Sequence, residues 1–409
     1  MTANLFDILD ERGFVAQSTD ERMRERLASP VTAYIGFDPT ADSLHLGHLV
    51  PIMGLRWLQH CGHTPLIVVG GATALVGDPS GKSESRRMLC REEIDRNVQA
   101  IAAQIGRIVR IGNGPGEARL LNNADWLASL GWIELLREAG PHFSINRMLS
   151  MDSVKGRLEG GGISFLEFNY MVMQAYDFLH LHRSAGCSVQ MGGADQWGNI
   201  VMGIELGRRK ADADLAGMTF PLVTKADGGK FGKSEKGTVW LAQERTSVYD
   251  FYQFWRNAAD ADTAKFLRFF TVLPVAEIDG LAAGDINRAK EVLALEATAL
   301  VHGLPAAEQA RADARRAFGA ARDVGGDSIP HGELPLAELS TGVTAVTLLV
   351  RAGLAASNGE ARRLIQGGGV RIHDAVVDDP QRKLELADVQ GGMVLLRAGK
   401  KRLYRFDVR

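Results

Sequence analysis

Two histidines three residues apart stand out in this sequence as side chains that could do chemistry. His45 and His48 stand in YIGFDPTADSLHLGHL, at the expected start of a helix, where this spacing puts both on one face. A metal site would need i, i+4 spacing with a glutamate between, or a nearby third ligand, and neither is evident. Because a helix N-terminus after a strand favours anions, phosphate and ribose contacts suit both imidazoles. Capping or surface histidines would fit the pattern equally well.

A second candidate is the lysine loop, residues 224–237, with the sequence TKADGGKFGKSEKG. Most lysine-rich loops are only solvated, but glycine next to lysine also builds a flexible arm that can close over a polyphosphate. The upstream segment GDPSGKS (77–83) has one residue too few for a P-loop, so a P-loop kinase is a weak alternative. A turn that brings Asp78 to a ligand's ammonium group is the simpler interpretation.

Three polar side chains share the spacing of one helix face. Tyr170, Gln174 and Asp177 lie at i, i+4 and i+7, so one helix can present all three to a ligand. On spacing alone, a polar stripe on a surface helix is the better interpretation.

The elements that must position these residues alternate between strand-like and helix-like segments. VTAYIGFD and PLIVVGGA are typical of strands, and the second is apolar enough to be buried on both faces of a parallel sheet. Residues 46–61 and EEIDRNVQAIAAQIGRIV have helical spacing, and CSVQMGGADQWGNI begins as another strand. This order predicts an α/β fold with a Rossmann-like, doubly wound parallel sheet that binds ligands at the carboxyl ends of its strands.

The pattern changes after residue 245. Four amphipathic segments predict helices, and a Gly- and Pro-rich stretch after them predicts a linker. A capping box at Ser357 then predicts a helix that stops at Gly367 and is followed by short strands. We therefore predict a Rossmann-like domain over 1–245, an α-helical domain over 246–321, a linker over 322–340 and a small α+β domain over 341–409.

Composition limits the class of protein. The 409 residues are 45% hydrophobic and 23% charged, with three widely spaced cysteines, no run long enough for a membrane span and no signal peptide. A cytoplasmic protein without membrane association is expected. The net charge is −2, yet Lys and Arg outnumber Asp and Glu after Arg351, so this basic tail predicts an anionic partner.

The motifs together, in this order, resemble the class I aminoacyl-tRNA synthetases, and among them the bacterial tyrosyl-tRNA synthetases. HLGH resembles the family's HIGH signature with Leu46 for isoleucine, and KFGKS resembles its KMSKS signature. GGATALVGDPSGK, EFNYMVMQAYDF and GGADQWGNI also stand in family order, and VRAGLAASNGEARRLIQGGGVRI resembles an S4 RNA-binding domain. Ile35 cannot make a hydrogen bond that some members make to the ribose, so it receives no role.

The resemblance implies a two-step ligase that joins L-tyrosine to ATP and then transfers tyrosine to tRNA(Tyr). Mg²⁺ is expected to accompany ATP, with no tightly bound cofactor and no protein metal site. The tyrosine carboxylate is already ionised at neutral pH, so catalysis needs positioning and charge stabilisation rather than a protein nucleophile. The resemblance also implies a homodimer, with an interface insertion around residues 140–165 of the first domain.

Roles for single residues follow from the same resemblance. The catalytic set, expected on the polyphosphate and ribose, is Thr40, His45, His48, Lys230 and Lys233. The tyrosine-binding set is Tyr34, Asp78, Tyr170, Gln174, Asp177 and Gln190. The ATP-binding set is Gly36, Asp38, Gly47, Gly193, Asp195, Gln196, Leu222, Val223 and Lys233. The tRNA-binding set, all basic and in the tail, is Arg362, Arg363, Lys400, Lys401 and Arg402.

Three alternatives explain part of the sequence. A nonenzymatic RNA-binding protein would explain the basic tail but not the ATP and amino-acid motifs. A small-molecule nucleotidyltransferase would explain HLGH and KFGKS but not the tail. The tryptophanyl sibling family is the nearest enzyme alternative, and the pair Tyr34 and Asp177 speaks against it.

Overall fold

The computed structural model describes residues 4–80, 89–226, 228–229, 231–234, 237–318, 329–373, 375–399 and 402–409. The chain forms two compact units. The first comprises Met1–Arg245 with Ala258–Leu293, and the second comprises Thr246–Asn257 with Ala294–Arg409.

The strands, in chain order, are β1 (Gln17–Ser18), β2 (Thr32–Phe37), β3 (Thr64–Val69), β4 (Arg119–Asn122), β5 (Cys187–Gly193), β6 (Ala216–Phe220), β7 (Lys233–Ser234), β8 (Gly237–Thr238), β9 (His331–Leu334), β10 (Val370–Ile372), β11 (Ala375–Val377), β12 (Met393–Ala398) and β13 (Arg402–Val408). The α-helices are α1 (Leu5–Glu11), α2 (Met23–Arg26), α3 (Leu49–His60), α4 (Arg91–Ile105), α5 (Ala124–Leu127), α6 (Trp132–Glu138), α7 (Ile145–Ser150), α8 (Asp152–Glu159), α9 (Phe165–Phe168), α10 (Tyr170–Ala185), α11 (Trp197–Ala211), α12 (Val248–Arg256), α13 (Asp260–Phe270), α14 (Val275–Ala283), α15 (Ile286–His302), α16 (Leu304–Phe318), α17 (Leu336–Thr341), α18 (Ala345–Arg351) and α19 (Asn358–Gln366).

A six-stranded sheet organises the first unit. Its strand order is β1-β6-β5-β2-β3-β4, and every neighbouring pair is parallel except β1 with β6. The predicted doubly wound parallel sheet is confirmed. The chain runs from β2 to β3 and β4 on one side and continues with β5 and β6 on the other, so the order reverses between β2 and β5. Ligands of such sheets bind at the carboxyl ends of the strands beside this reversal.

The local sequence explains the elements around the reversal. β3 is buried along almost its whole length, as its continuous apolar run predicts. The predicted helix over 46–61 is present, although Leu46–His48 form a 3₁₀ turn before α3. α10 ends where Gly186 adopts a left-handed φ of 63°, a conformation that glycine takes without steric cost.

The helices expected over 246–321 are shared between the two units. In the second unit α12 packs on α16, and in the first α13 packs on α3 and α14. α14 is a helix that the sequence pattern does not predict, because Ile278 is its single buried residue and gives no periodicity. Across the part of the chain that the structure describes, no helix is both long and apolar enough to cross a membrane.

A five-stranded sheet organises the second unit. Its order is β11-β10-β12-β13-β9, and β9 pairs with β13 in parallel. The predicted linker over 322–340 is therefore wrong from residue 331 onward, where β9 and α17 form. HGEL has no alternating pattern, and β9 is ordered by its backbone pairing with β13 and by Leu334, which is fully buried in the core. Residues 322–328 of that prediction lie outside the described residues.

The predicted capping box at Ser357 forms one of its two characteristic hydrogen bonds. The Ser357 hydroxyl accepts a hydrogen bond from the Glu360 N–H at 3.2 Å, while the Glu360 carboxylate accepts from the Ala356 N–H at 2.7 Å instead of from the N-cap residue. Gly367 follows the last helical residue as predicted.

Candidate active site

A cavity of about 840 Å³ opens at the carboxyl ends of β2 and β5, at the reversal of strand order. It is lined by most of the residues that the sequence predicts to bind substrates: Tyr34, Gly36, Asp38, Thr40, His45, Gly47, His48, Asp78, Tyr170, Gln174, Asp177, Gln190, Gly193, Asp195, Gln196, Leu222 and Val223. Lys233 is the first residue of β7, and Lys230 lies outside the described residues.

The two histidines form a reciprocal cap at the start of the 3₁₀ turn. His45 Nδ1 accepts a hydrogen bond from the Gly47 N–H at 3.1 Å, and His48 Nδ1 accepts from the His45 N–H at 3.1 Å. The ring centroids are 4.0 Å apart. Because Nδ1 is the acceptor in each ring, a neutral imidazole carries its proton on Nε2, and each ring has an N–H donor suited to a phosphate or hydroxyl oxygen. The capping role and the ligand-binding role are therefore compatible.

Glycine is required between these histidines. A Cβ at Gly47 would lie 2.9 Å from Cε1 of the His45 ring, which is too close. At the end of β5, a Cβ at Gly193 would lie 2.5 Å from Oδ1 of Asp195, so a larger residue there would displace the Asp195 carboxylate. Both glycines let polar side chains approach the backbone at the mouth of the cavity.

Tyr34 and Asp177 form the most buried end of the cavity. They are 2% and 4% exposed, and the Tyr34 hydroxyl has no hydrogen-bond partner within the described part of the chain. Burial, and after it the charge of Asp177, raises the pKa of the Tyr34 hydroxyl well above its usual value. The oxygen of the Gln190 amide is likewise buried without a partner among the described residues. Buried polar atoms of this kind are expected to be satisfied by a polar ligand.

Asp177 is held by two donors that sequence reasoning missed. Asn123 Nδ2 donates to Oδ2 at 3.1 Å, and Trp126 Nε1 donates to Oδ1 at 2.7 Å. Burial raises the pKa of the Asp177 carboxyl to about 7, although both hydrogen bonds act in the opposite direction and Asp38 adds a smaller increase. Asn123 follows β4, so the rule that polar residues after parallel strands reach the ligand could have found it.

Asp78, which the sequence predicts to meet an ammonium group, and Tyr170 of the tyrosine-binding set lie beside this end. Asp78 accepts hydrogen bonds from the Ser80 N–H at 2.9 Å and from Gln196 Nε2 at 2.8 Å. The Tyr170 hydroxyl donates to Asp38 Oδ2 at 2.9 Å. The carboxylates and the phenol oxygen together give this part of the cavity an acidic, acceptor-rich wall that suits a cation.

Gln174 belongs to a further chain of amides on the same wall. Asn199 Nδ2 donates to Gln174 Oε1 at 3.0 Å and to Gln196 Oε1 at 3.1 Å, which fixes the orientation of both amide groups. The predicted face of Tyr170, Gln174 and Asp177 therefore lines the cavity and is not a solvated surface.

The wider mouth of the cavity carries the residues predicted for ATP. Gly36 leaves open space there, Thr40 is exposed, and the side chain of Leu222 is 61% exposed. The backbone joins the two signature motifs, because Leu46 N–H donates to the Val239 carbonyl at 3.1 Å and Val239 N–H donates to the Gly232 carbonyl at 2.8 Å. HLGH and the lysine loop are thus adjacent.

The residues predicted to contact RNA lie in the second unit. Arg362 and Arg363 are exposed on α19. Arg402 is half-buried, and its Nη1 donates to the Leu354 carbonyl at 3.0 Å. Lys400 and Lys401 lie outside the described residues.

Comparison with known proteins gives a consistent result. The family described as tRNA synthetases class I (W and Y) matches residues 26–319, and the tyrosine–tRNA ligase SYY-like C-terminal domain matches residues 329–406. A tyrosine–tRNA ligase of Rhizobium meliloti is 51% identical, with 96% of each chain covered. One of Bradyrhizobium diazoefficiens is 49% identical over 98% of this chain and 97% of its own.

A solved structure agrees with these relatives. The C-terminally truncated mitochondrial tyrosyl-tRNA synthetase of Aspergillus nidulans is 31% identical, with a TM-score of 0.68 over 77% of this chain and 94% of its own. With the motifs and the cavity, these matches establish that the chain belongs to the class I tRNA synthetases and, within them, to the tyrosine–tRNA ligases.

Proposed function

We propose that this protein activates L-tyrosine with ATP to tyrosyl-adenylate and transfers the tyrosyl group to tRNA(Tyr). The observation that carries the proposal is the buried end of the cavity, where the unpartnered Tyr34 hydroxyl stands with the Asp177 carboxylate. A phenolic hydroxyl can donate to Asp177 and accept from Tyr34. Phenylalanine would leave the Tyr34 hydroxyl buried and unpaired and would give Asp177 no donor beyond Asn123 and Trp126, and buried groups that lose a partner reject a substrate that lacks the hydroxyl.

The rest of the amino acid fits the neighbouring wall. The ammonium group is assigned to Asp78, Tyr170 and Gln174, which line this part of the cavity and carry acceptor oxygens. With the ammonium group held there, the tyrosine carboxylate points toward the mouth of the cavity, on the side of HLGH. The carboxylate then attacks the α-phosphorus of ATP, and pyrophosphate leaves. No protein base is needed, because the nucleophile is already ionised.

The protein's part in this step is to hold ATP and to stabilise the charge on the leaving pyrophosphate. The Nε2–H groups of His45 and His48 and the hydroxyl of Thr40 are assigned as donors, with Lys230 and Lys233 of the lysine loop as cations. Gly36, Asp38, Gly193, Asp195, Gln196, Leu222 and Val223 are assigned to the adenosine. Mg²⁺ enters with ATP as part of the substrate, and the described residues contain no cluster of three or more metal-ligating side chains.

We propose a division of labour along the chain. Residues 1–245 form the adenylate, and the basic tail from 341 to 409 contacts tRNA through Arg362, Arg363, Lys400, Lys401 and Arg402. The reaction's substrates and the three cysteines, all free, suit the cytoplasm.

We also propose a homodimer formed through the predicted interface segment, residues 140–165, extended at each end to cover residues 132–166. This segment exposes a group of large apolar side chains, among them Ile133 at 66%, Ile145 at 57% and Phe165 at 71%. The Trp132 and Phe165 rings are 6.1 Å apart, so part of the group is contiguous. A second copy would remove this apolar surface from water.

The test of the activity is ATP–pyrophosphate exchange with each of the twenty amino acids. Exchange should depend on tyrosine and be very weak with phenylalanine and with tryptophan. Equal exchange with tyrosine and phenylalanine would refute the assignment of Tyr34 and Asp177, and exchange driven by tryptophan would favour the sibling activity.

A further inference from the structure

Helix α13 is bound to the first part of the lysine loop by a buried carboxylate and a lysine. Both oxygens of Asp262 accept from the Ala226 N–H, at 3.0 and 3.1 Å, and the residue is 2% exposed. Lys265 donates to the Thr224 carbonyl at 2.6 Å and forms an ion pair with Asp262 at 3.0 Å. The backbone at 224 and 226 is thus fixed by charged groups from one helix turn. Charge-assisted hydrogen bonds are the stronger class of such bonds.

The same helix holds the middle of the loop through aromatic rings. The Phe231 ring stacks on Phe270 with centroids 5.2 Å apart and planes 5° apart, and it meets Phe266 at 5.2 Å and 52°. Phe231 stands between Lys230 and Gly232, two residues before Lys233. Stacking at this position therefore fixes the backbone next to both signature lysines.

Held in this way, the lysine loop lies close to HLGH at Gly232. Gly232 has a φ of +76°, and a Cβ built on it would lie 3.2 Å from the Leu46 Cβ. The space between the loop and Leu46 therefore admits glycine alone without a shift. A backbone displacement of the loop by even a small distance would change how far the lysines stand from His45.

α13 is in turn fixed to the body of the first unit. The buried Arg12 guanidinium donates to the carbonyls of Arg268 at 3.0 Å and Thr271 at 3.1 Å, and it stacks over the Trp57 ring at 4.4 Å. Trp57 lies on α3, the helix that follows HLGH directly. α13 is thus tied to the helix that follows the histidine motif, and it can act as a fixed reference for the loop.

We propose that Asp262, Lys265 and Phe270 are positioning residues for adenylate formation, which hold the lysine loop so that Lys233 meets the polyphosphate. The inference rests on the proposed function, because it takes Lys233 as a group that acts on ATP. Interactions made mainly in the transition state affect the chemical rate and leave ground-state binding of the amino acid nearly unchanged. Loss of positioning should therefore lower the rate of adenylation and not the affinity for tyrosine.

The experiment uses the full-length protein and measures, for each variant, the single-turnover rate constant of adenylate formation and the tyrosine Kd. Asp262→Ala and Lys265→Met should each lower the rate constant by roughly 10- to 100-fold, as expected for loss of a charged hydrogen bond that orients a reacting group. Phe270→Leu should lower it by about 2- to 12-fold. The tyrosine Kd should stay within about twofold, and Asp262→Asn, which keeps an acceptor for Ala226, should recover most of the rate.

The matched control is Asp260→Ala. Asp260 is a carboxylate on the same helix turn, exposed and ion-paired with Lys290 away from the loop, and its removal should leave the rate unchanged. If Asp262→Ala does not fold, Lys265→Met decides the matter, since Lys265 is partly exposed. A rate constant for Lys265→Met equal to that of the control would overturn the inference.

A double variant separates this inference from the function on which it rests. Asp262→Ala added to Lys233→Ala should lower the rate little beyond Lys233→Ala alone, because both changes remove the same stabilisation. Fully multiplicative losses would show that α13 acts by another route and would overturn the inference. An unchanged rate in Lys233→Ala itself would instead refute the role proposed for the loop lysines, and the inference with it.

Discussion

Replacement of Asp177 by asparagine tests the buried end of the cavity most directly. The side chain keeps its shape but loses one acceptor oxygen, while three donors compete for what remains: Asn123, Trp126 and the substrate hydroxyl. A hydrogen bond to a charged group contributes about 1.5–3 kcal/mol, and tenfold in a rate or binding constant corresponds to about 1.4 kcal/mol. Asp177→Asn should therefore lower kcat/KM for tyrosine roughly 10- to 150-fold.

The assay is pyrophosphate exchange with tyrosine and phenylalanine in parallel, with a thermal melt of both proteins. Phenylalanine is the internal control, because it has no hydroxyl group for Asp177 to bind. Its weak exchange rate should therefore change far less than the exchange rate with tyrosine. An equal fractional loss for both amino acids, with an unchanged melting temperature, would show that Asp177 does not contact the substrate hydroxyl.

The raised pKa of Asp177 adds a dependence on pH. The carboxyl titrates near 3.8 in an ordinary environment and near 7 in the folded protein, where burial is the main cause. Between these values the folded protein holds a proton that the unfolded chain has lost. Protonation of Asp177 therefore contributes fully to the free energy of unfolding below about pH 3.8, and this contribution is lost as the pH rises through about 7. Tyrosine affinity, measured without ATP, should increase over the upper part of this range as the stronger carboxylate acceptor forms, and Asp177→Asn should remove that increase.

Three further predictions concern other parts of the molecule. His45→Ala and Lys233→Ala should each lower the adenylation rate roughly 100- to 1000-fold with little change in tyrosine Kd, measured by single-turnover kinetics; weaker tyrosine binding with an unchanged rate would contradict their roles. Phe165→Asp should shift the mass in light scattering from two chains to one, whereas Val376→Asp, an equally drastic change at an exposed apolar residue of the tail, should not; a monomeric unmodified protein would refute the proposed interface. Truncation after residue 321 should preserve pyrophosphate exchange and abolish or greatly weaken tRNA charging, and the affinity of the full-length protein for tRNA should fall steeply with salt; charging by the truncated protein at the full-length level would refute the role of the tail.

The sequence predicts the parallel sheet well, and it predicts that Tyr170, Gln174 and Asp177 share one face of α10, because these signals are local. β3 is an unbroken apolar run, and the face of α10 follows from helical spacing once a ligand is expected. The roles of Asn123 and Asn199 are not predicted, because each depends on a side chain of another element, Asp177 for Asn123 and Gln174 for Asn199; the position of Asn123 directly after a parallel strand is the one signal that could have found it. No spacing rule identifies such partners.

The errors of prediction have a physical cause as well. β9 has a polar, glycine-containing sequence that is typical of a loop, and the backbone of β13 supplies the hydrogen bonds that make it a strand. The links from α13 to the lysine loop have the same origin. Asp262 and Phe270 look like ordinary residues of an amphipathic helix until the loop is placed against them.

The reversal of strand order between β2 and β5 has a consequence for how the protein is made. Tyr34 pairs in register with Gln190, so the two walls of the buried end come from strands that are distant in the chain. During synthesis such a pairing must wait until both strands have been made, and it carries a loop-closure cost. A nascent chain can therefore complete the histidine motif and its supporting helix long before it can hold tyrosine. The amino acid binds only after β5 has joined β2, and it should then act as a ligand that selects and stabilises correctly assembled molecules during synthesis.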